Sequence, residues 1–410
     1  MDFLDPFGAA VHRYQGVGTL TCGPGPRPRR SKVSFEVRQL QDGSLVVGCM
    51  AAGFVDFSRW RTLAGWAEEP SARVRVTGAM VVDSQWRSPG ICWSAAYAKH
   101  VDIDKPMLHR LPASYIDFQL VNLTDRRWNG SDFPVSFSYR DYKLTLRPSA
   151  TYTRLAKGLN RVPGTAVTAT LRVRPAGGNP LRPAAVASAA DEICRALSLA
   201  AGTKVNWLMY ETSSGAIRHR SSVLKPYSNL LAALGWRLDF QAILTGWAIA
   251  RDKRHLRAMT DYFMDATAVG PYLETRALTA ASLLDALTNH WAHSNGFDVL
   301  VDDVSWRKAE RKLRGAIRQT AAECGIDESI DINIKALQRR PFADRLQRLL
   351  GRLNIQSGHV SGLIPVRNSL IHDGEFPEGV DRRQAFLQLV WTDLAILARL
   401  AGYKPAIRGM

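Results

Sequence analysis

At 410 residues the chain exceeds what one ordinary hydrophobic core supports, so two domains are expected. Apolar residues at 46% and charged residues at 22% exclude a disordered or fibrous polypeptide. No apolar run approaches the roughly 18 residues of a membrane span. The acidic start Met1-Asp2-Phe3-Leu4-Asp5 lacks the basic-then-apolar order of a secretory leader, and a cytoplasmic protein is expected.

The formal charge of +17 suits a polyanionic partner, but 42 Arg against 12 Lys is also the bias of a GC-rich genome. Its distribution is uneven. From Asn229 onward, 24 basic and 20 acidic residues leave +4, so the remaining 30 basic and 17 acidic residues give the first 228 residues +13. Five scattered cysteines, Cys22, Cys49, Cys92, Cys194 and Cys324, form no Cys-x-x-Cys pair. They read as reduced thiols, with no disulfide framework and no cysteine zinc site.

Taken in chain order, the first half predicts strands at Gly16–Cys22, Lys32–Leu40, Ser44–Cys49, Ala72–Ala79, Val135–Tyr139, Tyr142–Leu146 and Thr165–Val173. Turn chemistry separates them, and Arg140-Asp141 reads as a two-residue hairpin loop. A helix over Ala185–Ala200 follows Gly177-Gly178-Asn179-Pro180, and strands at Lys204–Glu211 and Ile217–Arg220 close this half. After Pro226 the pattern changes to a helical period. Leu273, Ala277, Leu284, Leu287 and Trp291 share one stripe, as do Phe386, Val390, Leu394 and Leu397. Further helices are predicted at Ser305–Glu323, Ile330–Gln338 and Pro341–Leu353. The expected class is α+β, with a β-rich domain (sandwich or open barrel) over 1–226 and an all-α domain over 227–410.

The segment Pro365-Val366-Arg367-Asn368-Ser369-Leu370-Ile371-His372-Asp373-Gly374 carries the chemistry. Pro365 suits the first position of a short helix and Gly374 its C-terminal cap, which would set Arg367 and Asn368 among the free N–H groups of the first turn. His372 then lies about 140° around the helix from Arg367. The two groups converge only if the helix end frays or if a two-fold dimer brings two copies together. Metal-free RNA cleavage needs a base for the 2′-hydroxyl, an acid for the leaving 5′-oxygen and a fixed cation for the phosphoryl charge. Histidine serves either proton role near neutrality, and arginine supplies a permanent forked donor.

This stretch, inside a helical region and ahead of one long amphipathic helix, resembles the signature of the HEPN superfamily. Tyr272-Leu273-Glu274-Thr275-Arg276-Ala277-Leu278 also resembles the first long helix of its ApeA-like, anti-phage branch, and the β-rich half is similar in kind to that branch's N-terminal domain. The resemblance implies a homodimeric helical bundle acting as an endoribonuclease of a defence or toxin type, leaving a cyclic phosphate. It implies Arg367, Asn368 and His372 as catalytic residues, no cofactor and no metal. RNA is the implied substrate, and a phage-derived or antitoxin protein is a conceivable trigger for a sensing N-terminal half. Some HEPN toxins carry a modifiable tyrosine two residues after the histidine; here that position is Gly374. A non-catalytic HEPN module for RNA or nucleotide binding, or for assembly, is the alternative.

Other features carry weaker readings. His290 and His293 have metal-ligand spacing, with His359 as a distant third candidate, but read first as surface or capping histidines at a helix end. Arg307, Lys308, Arg311, Lys312, Arg314 and Arg318 make a basic helix, either an RNA-tracking face or a solvated one. Arg339, Arg340, Arg345, Arg348 and Arg352 make a second such stretch. Glu274 reads as a first-turn helix glutamate, and Trp60, Trp66, Trp236 and Trp247 as core.

Overall fold

A computed structural model describes residues 10–22, 29–40, 43–52, 60–69, 72–77, 80–88, 91–104, 112–124, 134–161, 164–222, 230, 239–250, 253–268, 272–325, 337–356 and 360–405. The chain forms two compact units, Met1–Ala250 with Thr267–Val269, and Arg251–Ala266 with Gly270–Met410. The first holds a large antiparallel sheet and the second is helical, an α+β architecture.

The sheet contains β1 (Ala10–Cys22), β2 (Arg29–Leu40), β3 (Leu45–Ala52), β4 (Trp60–Glu69), β5 (Ala72–Thr77), β6 (Met80–Ser88) and β7 (Ile91–Tyr97). It continues with β8 (His100–Asp104), β9 (Ile116–Val121), β10 (Val135–Tyr139), β11 (Tyr142–Pro148), β12 (Val167–Pro175), β13 (Asn206–Thr212) and β14 (Ile217–Arg220). Among the described residues these 14 strands lie in the order β10-β11-β12-β9-β13-β14-β8-β5-β4-β1-β2-β3-β7-β6. The expected two-residue hairpin is present, with Tyr139 paired to Tyr142 and Arg140 at φ 49°.

The expected β-rich half is one continuous sheet whose β1–β8 part curls until distant strands meet. Bulges at Gln15/Gly16 and Thr21/Cys22 bend β1 against β4. A Cβ at Gly16 would stand 1.9 Å from the Trp66 carbonyl oxygen, so only glycine permits this approach. Leu20, Phe35, Val37, Val47, Leu63, Val74, Val76 and Val101 fill the enclosed face.

A polar chain ties the curl across its interior. Three strands separate β1 from β14 in sheet order, yet the Tyr14 hydroxyl lies 2.9 Å from His219 Nε2. His219 Nδ1 lies 2.8 Å from Gln39 Oε1, and Gln39 Nε2 donates to the carbonyls of Arg220 (3.2 Å) and Leu208 (3.4 Å). An amide oxygen only accepts, so Nδ1 carries the ring proton and Nε2 accepts from Tyr14. Burial holds His219 in this neutral form, with its pKa pushed down to about 3 and His12 adding to the effect.

Helices back the other part of the sheet. α1 (Tyr152–Arg161) packs on β12, α2 (Pro183–Ala201) on β13 and β9, and α3 (Phe240–Ile249) on α2 and β10. The change of pattern after Pro226 assigns α3 to the helical domain; its apolar side instead closes the sheet unit, where Trp247 is fully buried and its indole N–H donates to Glu192 at 2.9 Å. Gln241 of α3 accepts from the Ser138 N–H (3.0 Å) and donates to the Ser138 carbonyl (3.3 Å), covering part of edge strand β10.

The helical unit comprises α4 (Lys253–Thr267, all but its last residue), α5 (Leu273–Ser294), α6 (Asp303–Glu323), α7 (Phe342–Arg352), α8 (Val360–His372) and α9 (Arg382–Leu400). α5 is central. Ala277, Ala280, Ala281, Leu284 and Leu287 are buried, and α7, α8 and α9 all pack on it. Small residues along α5 let its neighbours approach closely, and Leu346, Leu349, Leu363, Leu370, Leu389 and Leu394 fill the spaces between helices. The predicted helix at Ile330–Gln338 lies outside the described residues except for its last two positions. No helix among the described residues is long and apolar enough to cross a membrane.

Candidate functional site

α8 carries all three residues singled out in the sequence, but its start differs from the expectation. Pro365 sits inside the helix, not at its first position. Leu363, Val366 and Leu370 form a buried stripe that extends α8 upstream through the proline, and this burial outweighs the one missing backbone bond. Arg367 and Asn368 therefore lie in the helix interior, where their N–H groups are committed to carbonyls one turn earlier. The anion-binding first turn predicted there does not form. The C-terminal end is as expected: Asp373 N–H reaches the Ser369 carbonyl at 2.8 Å and Gly374 adopts φ +77°.

Arg367 points into a polar seam between α5, α7 and α8. Its side chain is 12% exposed, and its guanidinium is ion-paired with Asp285 of α5. Nη1 donates to Asn368 Oδ1 at 2.9 Å, and Cζ stands 4.5 Å from the centre of the Phe342 ring at the start of α7. Asp285 also accepts from Asn289 Nδ2 at 2.7 Å, and Asn289 in turn accepts from Arg345. Burial holds the Arg345 guanidinium below the usual arginine value; Asp285 opposes that shift, while Arg339 and Arg367 add to it. Arg367 thus pairs with Asp285 directly and Arg345 reaches it only through Asn289, and the Nε–H groups of both are buried without a partner among the described residues. The seam keeps a net positive charge, which suits a phosphate.

His372 is on the last turn of α8 and exposed. Among the described residues nothing donates to it or accepts from it. The structure therefore joins Arg367 to Asn368 and leaves His372 apart from both within one chain. This is the outcome that five residues of regular helix impose.

Sequence reasoning missed Asp285, Asn289 and Phe342, and saw Arg345 only as one of a basic run. A signal was present: Asp285 and Asn289 are an i, i+4 polar pair set in the buried stripe of α5. Several weaker readings also resolve. Glu274 pairs with Arg382 at 3.0 Å, not with Arg367. Arg340 and Arg348 both pair with Asp344, at 3.0 and 2.9 Å. His290 stacks on His255 with ring centres 3.4 Å apart, and His293 pairs with Asp298 at 3.1 Å. Among the described residues no three such ligands gather in a metal-binding group, and His359 lies outside them. Trp247 is core, whereas Trp66 on β4 is 41% exposed. Trp236 and the side chain of Trp60 lie outside the described residues.

The family model described as the YopA central domain matches residues 110–218. That span runs from just before β9 into the start of β14, so it covers the helix-backed part of the sheet and none of the helical unit. No curated protein and no solved structure matches the chain.

Proposed function

We propose that the helical unit is a metal-independent endoribonuclease of HEPN type, acting as a homodimer in the cytoplasm in a defence or toxin role. One observation carries the reading. Arg367 is fixed by Asp285, Asn368 and Phe342 in a seam of net positive charge, while an unengaged histidine stands exposed on the same helix. Arg367, with Arg345 nearby, would grip the phosphoryl oxygens, and Asn368 would hold the guanidinium plane. His372 would take the 2′-hydroxyl proton, and its symmetry mate would protonate the departing 5′-oxygen. Attack of the 2′-oxygen on phosphorus then breaks the bond to the 5′-oxygen and leaves a 2′,3′-cyclic phosphate. The sheet unit would restrain or trigger the site.

Purified protein is expected to cut RNA in EDTA, and Arg367→Ala or His372→Ala to abolish this. Removing an exposed histidine alters folding stability by no more than about 0.5 kcal/mol, so loss in His372→Ala reads out chemistry. Cleavage that persists in both variants refutes the assignment.

A second reading, a non-catalytic HEPN module, is favoured by the pairing of Arg367 with Asp285 and its separation from His372. It predicts salt-sensitive RNA binding without cleavage, unaffected by His372→Ala.

A further inference from the structure

α6 is built unlike the other helices of its unit. Of its 21 residues only Trp306 is buried. Its other apolar residues are Ala309, Ala316, Ala321 and Ala322, half-buried Ile317, and Val304 and Leu313, which are 80% and 36% exposed. Asp302 caps its first turn, accepting from Val304 N–H at 2.9 Å and Ser305 N–H at 3.0 Å, so the helix is locally well specified. Along it Arg307, Arg311, Arg314 and Arg318 follow at i, i+4, i+7 and i+11, with Lys308 and Lys312 beside them. All are exposed except half-buried Arg314, and among the described residues only Arg314 is paired, with Glu310 at 2.9 Å. Like charges at i, i+4 repel, and among the described residues Glu310 is the one carboxylate paired with this row.

We propose that α6 is an RNA-docking helix that grips the phosphate backbone and does not read bases, a proposal that rests on the reading of RNA as substrate. Charge complementarity selects the partner. The row from Arg307 to Arg318 extends about 16 Å along the axis, the rise of roughly five nucleotides of a duplex strand. The one aromatic residue of the helix, Trp306, is buried, so no ring is offered for base stacking. A membrane surface would need a broad face of Trp, Phe and Leu, where the exposed apolar residues of α6 are Val304, Leu313 and small alanines.

The test measures binding of the full chain to 2′-O-methyl RNA, which cannot be cut by 2′-oxygen attack, between about 50 and 200 mM salt. The triple variant Arg307→Gln/Arg311→Gln/Arg318→Gln is expected to bind at least about tenfold more weakly. Its slope of log affinity against log salt should fall by about two, near 0.7 for each single-strand phosphate that the variant no longer neutralises. The matching Arg→Lys triple should retain the wild-type slope, showing that charge and not folding was removed. Equal affinity and slope in wild type and the Gln triple overturns the proposal, as does helix-dependent binding to phosphatidylserine vesicles or to an acidic peptide in place of RNA. Arg367→Ala and His372→Ala measured alongside separate the two ideas: cleavage surviving in them removes the nuclease site and leaves a helix-dependent slope standing.

Discussion

Arg367 of α8 and Asp285 of α5 form an ion pair inside the helical unit, joining the proposed phosphate-gripping cation to the central helix. The carboxylate has a second duty, since it also accepts from Asn289, which receives Arg345. Asp285 is thus a positioning residue for both guanidinium groups.

Asp285→Asn keeps the side-chain shape and removes the charge. With Arg367 only 12% exposed, its uncompensated charge should cost about 1–3 kcal/mol in urea unfolding. Cleavage should fall while RNA affinity holds or rises, because the seam becomes more positive. Unchanged stability together with unchanged turnover would show that the pair neither supports the fold nor orients Arg367.

His219 makes the sheet unit acid-sensitive. Its folded pKa is about 3, below the unfolded value of 6.5, so the unfolded chain takes up the proton first. The stability it contributes is complete above pH 6.5 and is lost as pH falls from there toward 3, by at most about 1.4 kcal/mol per pH unit. His219→Gln removes that proton, and its unfolding free energy should decline less steeply below pH 6.5 than the wild type's. Parallel curves for the two proteins would refute the neutral, buried imidazole.

Asp393 of α9 has the opposite sign. It is fully buried, neither carboxylate oxygen has a partner among the described residues, and desolvation raises its pKa well above the usual 3.8. The folded helical unit keeps a proton that the unfolded chain releases, so stability declines as pH rises above 3.8. Asp393→Asn is neutral throughout, and its advantage over the wild type should widen as pH rises above 3.8. A difference that stays constant as pH rises would mean that the carboxyl is ionised in the fold.

Much of the architecture was legible in the chain. Alternating β-branched and aromatic runs located β2, β10, β11, β12, β13 and β14, and 3.6-residue stripes located α2, α5, α6, α7 and α9. β4 and β6–β8 escaped because Trp60–Glu69 and Met80–Asp104 mix alanine, glycine and charges without clean alternation, and the short, alternating β9 (Ile116–Val121) was missed as well; their pairing comes from neighbours already in the sheet. α8 began earlier than Pro365 suggested, because the burial of Leu363 is a tertiary matter that a local helix rule does not contain.

Local chemistry alone determined which residue types stand on α8, and a period of 3.6 alone set Arg367 and His372 on different sides of it. The tertiary structure decided the rest: that β1 meets β14 through Tyr14 and His219, and that Arg367 meets an aspartate 82 positions earlier. Contacts between residues so distant in sequence depend on how separate elements pack, and no local pattern encodes that packing.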